Sequence, residues 1–346
     1  MRPHGPMIVL PGAARITLVL LAVLPAAMAY PWRSAPHRVL LGAAVGVVIV
    51  LLSWWRGRHV TTILGRRLAM LRRNRGERPA PASRTDARLT VLLRVAASAA
   101  DPDALPLELI SGYVDRYGLR AHAIRVTSRD TASDTDEPRR ETWIGLTLSA
   151  AENLAALRAR SPQIPLPKTA EVAARRLADH LRESGWTAGI AAPEDIPPLL
   201  EPSAPETWRA IRQGSTDYVA AYRVSVDAAL PATLAAIWSL PARETWTALE
   251  IAGVGSHRTA AVACAFRTDT RPGGSAPLPG LTPHHGNHRP ALRVLRPTST
   301  QRLDGHTAMP EDLLTRLRWP ATQTAAGPAA RGQGSRAGGL AGSRRL

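Results

Sequence analysis

The residues best suited to chemistry in this chain lie in PHHGNHRP, which places His284, His285 and His288 within one short stretch. Imidazoles four positions apart can share a metal when a helix holds them on one face. Pro283, Gly286 and Pro290 interrupt this stretch, so it reads as a turn-forming loop, and no metal or other cofactor is expected. Asp134, Asp136 and Glu137 cluster in DTASDTDEPRR, a pattern of a solvated hairpin tip rather than an acid–base pair. Cys264 is the only cysteine. It sits in apolar TAAVACAF, where a buried structural thiol is expected and no intramolecular disulfide can form. His180 falls on the arginine-rich side of its helix and reads as a surface residue. There is no GxxxxGKS/T, no GxGxxG after a strand, no HExxH, no CxxC and no GxSxG. The local signatures of an ATPase, a dinucleotide enzyme, a zinc protease and an α/β-hydrolase are therefore missing. No catalytic residue and no small-molecule substrate are expected.

The elements that would position such residues begin after two apolar runs, 16–32 and 39–55. At about 1.5 Å per residue each reaches about 25 Å, slightly under a hydrocarbon core of about 30 Å. With the short RSAPHR connection they predict a transmembrane helical hairpin, with Trp32, Trp54 and Trp55 at the interfaces. A cleaved leader ending near Ala29 is the alternative for the first run, and the second would then still act as an anchor. A basic amphipathic collar follows at 56–76. Arg56, Arg58, Arg66, Arg67, Arg72 and Arg73 lie there, against only Arg33 and Arg38 in the connecting loop. This asymmetry puts residues 1–15 and everything after the collar on the cytoplasmic side. Val60, Ile63, Leu64, Leu68 and Leu71 recur at helical spacing. The collar therefore reads as a helix facing membrane lipids or a partner's membrane helix, or as an extension of the second span with solvated arginines.

The formal charge of +17 resides mainly in the ends of the chain. Residues 1–78 carry twelve Arg against one acid, and 320–346 carry four Arg and none. Between them, 28 Lys and Arg face 26 Asp and Glu, so the globular part lacks the basic surface of a nucleic-acid binder.

After a polar linker at 77–87, apolar periods of two and 3.6 alternate through 88–319. Strands are expected at 88–98, 120–130, 141–149, 186–192, 217–226, 244–253 and 259–268. Helices are expected at 105–117, 151–160, 169–184, 230–238 and in PEDLLTRLR. The proline-rich stretch 193–205 reads as a linker or an extended crossing segment, and 320–346 as a disordered tail. The fold class is α+β, a transmembrane hairpin followed by a mixed α/β domain with a mainly antiparallel sheet. The stretches 88–149 and 217–268 share a strand–helix–strand–strand order, which suggests a degenerate βαββ duplication. Common Leu-Pro helix starts are the competing explanation.

The tripeptide ETW occurs at 141–143, 206–208 and 244–246. In the first and third copies alternation places Trp143 and Trp246 opposite Ile144 and Leu249, so these Trp residues should cover the second face of the sheet. The copy at 206–208 reads as a turn or short helix. No chemistry is assigned to Glu141, Glu206 or Glu244.

A long ordered series of segments is similar to the EccE family, the E membrane component of actinobacterial type VII (ESX) secretion systems. It includes LSWWRG, ILGRRLAMLRRNR, YVDRYGL, IRVTSRD, TWIGLTLSAAENLAALRARSPQIPL, TAEVAARRLADHLRESGW, ETWTALEIAG, PLPGLTP and RLDG. It resembles most the branch linked to metal acquisition. The resemblance implies a non-enzymatic subunit of an inner-membrane complex with the B, C (ATPase) and D components, its body in the cytoplasm. A membrane-anchored enzyme with a non-local site is the competing class, and converging carboxylates or a metal held by the 284–288 histidines would favour it.

Overall fold

The computed structural model describes residues 21, 23, 24, 27, 28, 39, 41–46, 54, 55, 58–75, 86–97, 104–132 and 139–320. The two apolar runs lie mostly outside these residues, as do Trp32, Arg56, the acidic cluster at Asp134, Asp136 and Glu137, most of the 77–87 linker, and the tail after Pro320. Positions 21, 23, 24, 27, 28, 39 and 41–46 are helical. Among the described residues no helix is long and apolar enough to cross a membrane. Trp54–Trp55, expected to finish the second helix, are instead extended and paired antiparallel with Arg58–His59. Two adjacent indoles suit extended backbone better than helix. The collar then forms helix α1 (Val60–Asn74).

The body is built on one sheet in which every pairing is antiparallel. In chain order its main strands are β1 (Arg88–Ala97), β2 (Leu119–Thr131), β3 (Arg139–Ser149), β4 (Trp186–Ala191), β5 (Ile211–Gln213), β6 (Asp217–Val224), β7 (Glu244–Ala252), β8 (Thr259–Thr268) and β9 (Leu281–Pro283). Across the sheet the order is β9-β6-β8-β7-β2-β3-β1-β4, with β5 also on β6. The fold is thus mixed α/β with an antiparallel sheet, as the periodicity implies. In each half the third strand lies between the first and second, and the halves meet where β2 pairs with β7, Val126 opposite Leu249.

Helices α2 (Leu107–Gly112), α3 (Leu154–Arg160), α4 (Leu166–Glu183), α5 (Leu230–Ser239) and α7 (Leu313–Arg316) supply residues to the core on one sheet face. Helix α4 buries Ala170, Ala173, Ala174, Leu177, Ala178 and Leu181, and the four alanines let it lie close to the strands. It starts earlier than its apolar period suggests because Pro167 occupies the first turn, where a missing N–H costs nothing. Helix α2 is shorter than expected. The chain turns back at Tyr117 (φ 57°) and Gly118 (φ 68°), pairing Arg116 with Leu119, so the two residues form a two-residue hairpin turn where the helix was expected to end. His180 is half-buried, not a free surface residue, and its Nδ1 meets the Tyr113 hydroxyl at 2.6 Å.

The second face carries its own core, in which Trp143, Trp246, Ala248 and Leu292 pack with Ile196, Leu199 and Ala204. The proline-rich 193–205 stretch is therefore a strap across the sheet. Prolines remove N–H donors from the strap, and arginines tie down the carbonyls of Leu199, Pro202 and Ala204. Arg267 Nη2 donates to the Leu199 carbonyl at 3.2 Å, and Arg289 donates to the carbonyls of Pro202 and Ala204. Arg289 lies on helix α6 (His288–Leu295), an element unexpected from the proline-broken sequence; Pro290 fits because it sits in the first turn. Cys264 is fully buried in the first core, with burial pushing its thiol far up, as expected of a structural cysteine.

Candidate functional site

The most elaborate polar site joins α1 to the loop between β9 and α6. Its centre is Glu206, the acid of the second ETW, whose side chain is fully buried. Arg73 Nε donates to Glu206 Oε2 at 3.0 Å, and Asn74 Nδ2 donates to the Glu206 carbonyl at 2.8 Å. The Glu206 N–H returns a bond to Asn74 Oδ1 at 3.0 Å, and the Arg289 N–H reaches Glu206 Oε1 at 3.3 Å. One buried carboxylate thus ends the collar helix and starts α6 together.

The histidine loop forms the rest of the clasp. Arg73 Nη2 donates to the Gly286 carbonyl at 2.8 Å, and Arg66 Nη1 to the His285 carbonyl at 3.2 Å. The ring of Trp208 stacks on His285 with centroids 5.8 Å apart and planes 14° apart, and the Arg67 guanidinium lies 5.5 Å from the Trp208 centroid. The Gly286 N–H donates to the Trp208 carbonyl at 2.9 Å. Gly286 has φ +65°, and a Cβ there would come within 2.6 Å of the indole, so only glycine lets the loop close on Trp208.

His284, His285 and His288 do not converge on a common point. The His284 N–H bonds the Ala221 carbonyl at 3.1 Å and His285 stacks on Trp208. His288 sits inside the fold with Nδ1 accepting the Ala221 N–H at 3.1 Å. Burial, with His284 and His285 nearby, pushes the His288 imidazole down to about 3, so it is neutral. Among the described residues no group of three or more His, Cys, Asp or Glu is placed to hold a metal.

The other two ETW glutamates converge on one arginine of the central strand. Arg129 Nη1 donates to Glu141 Oε2 at 3.1 Å, and its Nε donates to Glu244. Glu141 also accepts from Arg94 at 2.8 Å, and Glu244 from Arg267 at 2.6 Å and from the indole N–H of Trp246 at 3.0 Å. Further along the same face Arg125 and Glu250, directly opposite across β2 and β7, form a buried pair. His306 Nε2 lies 2.9 Å from Glu250 and the Leu303 N–H donates to it at 3.0 Å. Arg125 Nη1 also donates to the Val294 carbonyl at 2.6 Å, tying the end of α6 to the sheet. Glu141, Glu244 and Glu250 are each committed to arginine, and Glu244 and Glu250 to further N–H donors. The arrangement fixes strands and straps in place and leaves none of these three carboxylates poised as acid or base.

Of the residues expected at a membrane or partner interface, Arg66, Arg67 and Arg73 meet the body, and Arg72 is exposed. Trp54, Trp55 and Arg58 lie in the short pairing before α1. No local motif marks Glu206, Trp208 or Asn74 as site residues. The recurrence of ETW was the available signal, but its second copy has no strand pattern to place it.

The model of the type VII ESX secretion system translocon family EccE matches residues 138–224. The chain belongs to the EccE family. It is 58% identical over 314 residues to the ESX-3 secretion system protein EccE3 of Mycobacterium tuberculosis, covering 90% of this chain and 92% of that one. To the protein of the same name from Mycolicibacterium smegmatis it is 50% identical over 298 residues, 86% of this chain and 91% of the other. In this EccE chain, ETW copies one and three lie in the shared sheet, and copy two holds the clasp.

Proposed function

We propose that this EccE chain is a non-enzymatic subunit of an ESX-3-type secretion complex, supporting assembly of the translocation machinery. The relatives' names support the system, and they are names of secretion proteins rather than enzymes. In the finer reading, residues 16–32 and 39–55 form the membrane hairpin of a multi-pass inner-membrane protein. The N-terminus and body are cytoplasmic, and the B, C and D components and lipids are neighbours. The metal-acquisition branch is the proposed setting, and the matching strand orders of the two halves support an origin by βαββ duplication.

The observation that carries the membrane reading is the two-sidedness of α1. Ile63, Arg66, Met70 and Arg73 are half-buried on one side, whereas Leu64, Leu68 and Leu71 are 56%, 52% and 50% exposed on the opposite side. A leucine stripe beside exposed Arg67 and Arg72 suits an acyl boundary with anionic headgroups. The clasp then passes the anchor's orientation to the body. Purification of the tagged full chain in mild detergent, followed by mass spectrometry, tests the assignment. Co-recovery of the secretion ATPase and the other membrane subunits is expected, and recovery of the chain without them would overturn it.

A further inference from the structure

Among the described residues beyond α1 and the apolar runs, four large apolar side chains are highly exposed, and three of them gather in one place. These are Tyr117 (44%), Ile164 (47%) and Val172 (47%). Tyr117 and Val172 line an open groove of about 200 Å³ with Leu119, Arg160, Lys168 and Arg176, and Ile164 adjoins its Pro165 rim. No acidic residue lines it. On the same helix Arg175 is paired with Glu171 and Arg182 with Asp179, but Arg160, Arg176 and Lys168, the chain's only lysine, have no carboxylate partner among the described residues.

The tyrosine is held in place deliberately. Arg176 lies 4.6 Å from its ring centroid and Arg116 5.3 Å, and Arg160 Nη2 donates to its carbonyl at 3.3 Å. Tyr117 is also the only non-glycine with positive φ among the described residues, at a turn position that Asn, Asp or Gly would occupy without strain. The fold thus accepts a strained backbone to present an aromatic ring beside three cations lacking counter-charges.

We propose that this groove is a docking site for an acidic segment of a partner protein. An apolar side chain of that segment seats on Tyr117, Leu119 and Val172, and flanking carboxylates meet Arg160, Lys168 and Arg176. This goes beyond membership of the secretion complex and does not depend on the membrane reading. A nucleic acid would need a basic face larger than one groove, and the body around it is almost neutral.

The test uses the full chain in detergent micelles and fluorescein-labelled peptides carrying one leucine flanked on both sides by glutamates. Anisotropy should show saturable binding, weakened roughly tenfold or more by Arg176→Glu or by Lys168→Glu. Exposed Arg212, remote in sequence on β5, supplies the control; Arg212→Glu should leave binding unchanged. A peptide with glutamine in place of glutamate should bind far more weakly. Melting curves confirm that the variants are folded, and Lys168→Glu, at an exposed helix position, is the conservative one. Absence of binding, or equal binding by Arg176→Glu and the parent, overturns the proposal. So does Arg176-dependent binding of single-stranded DNA or anionic vesicles in preference to the acidic peptide.

Discussion

Trp143 and Trp246 stack face to face with ring centroids 5.8 Å apart and planes 12° apart, although they lie on different strands separated by β2. Arg129 of that central strand lies beside Trp246, its guanidinium 5.9 Å from that ring's centroid and bonded to both Glu141 and Glu244. Two copies of one tripeptide therefore close on a single arginine. The glutamates neutralise it, and the Trp246 indole packs against its guanidinium.

Each ring is 1% exposed, so truncation leaves a cavity that the strap cannot fill. Trp246→Ala should cost about 3–5 kcal/mol in urea unfolding, with Trp246→Phe costing less. The double variant with Trp143→Ala should show a coupling of about 0.5–1.5 kcal/mol. Strictly additive losses would mean that the stacking contributes nothing beyond burial.

The clasp predicts a local effect rather than a global one. Arg73→Ala leaves the buried Glu206 carboxylate with only the Arg289 N–H, a loss of about 3 kcal/mol or more at the site. A helix of 15 residues in water cannot replace that from its own propensity. Hydrogen exchange should accelerate across residues 63–74 while β2, β3 and β7 keep their protection. Arg75→Ala, at an exposed position just past the helix, should change nothing. Uniform acceleration through the sheet would show that the collar is integral to the core instead.

Gly286 offers a steric test of the same contact. Alanine there must adopt φ +65° and push into the Trp208 ring, so Gly286→Ala should destabilise by about 1–3 kcal/mol and free α1. Gly189→Ala on β4 meets nothing within 4 Å and should be neutral or stabilising by about 0.4–1 kcal/mol. Similar melting temperatures for the two variants would contradict this reading of the loop.

The sheet was legible because its signal is periodic. Alternation in TWIGLTLS puts Ile144, Leu146 and Leu148 against the helices and Trp143 on the other side, as found. What sequence did not reveal depends on long-range partners. Helix α6 hides behind Pro290, and α2 stops early because Tyr117 and Gly118 form a hairpin turn. The 284–288 loop resembles ligand spacing, but its histidines serve stacking and backbone bonding with Trp208 and Ala221. Likewise, nothing near Glu206 in the chain announces Arg73 or Asn74, 133 and 132 residues away.

Acid should unfold the body in two stages with different origins. His288 is held neutral, pushed down to about 3 against an ordinary value of 6.5. Between those values the unfolded chain binds more protons than the folded one. The stability that depends on neutral His288 is therefore complete above about pH 6.5 and falls as pH drops toward 3. Burial alone would raise the Glu250 carboxyl. The hydrogen bond with His306 and the Arg125 guanidinium outweigh that and hold it below its ordinary 4.5, so its contribution is lost only as pH falls below about 4.5. Urea midpoints measured from pH 8 to 4 should decline already between about 6.5 and 4.5. His288→Gln keeps an oxygen for the Ala221 N–H but cannot titrate, so it should flatten that part of the profile. Glu250→Gln should leave this upper slope intact and alter only the most acidic limb. A His288→Gln profile parallel to the parent's from pH 6.5 to 4.5 would mean that the buried imidazole is not what acid attacks first.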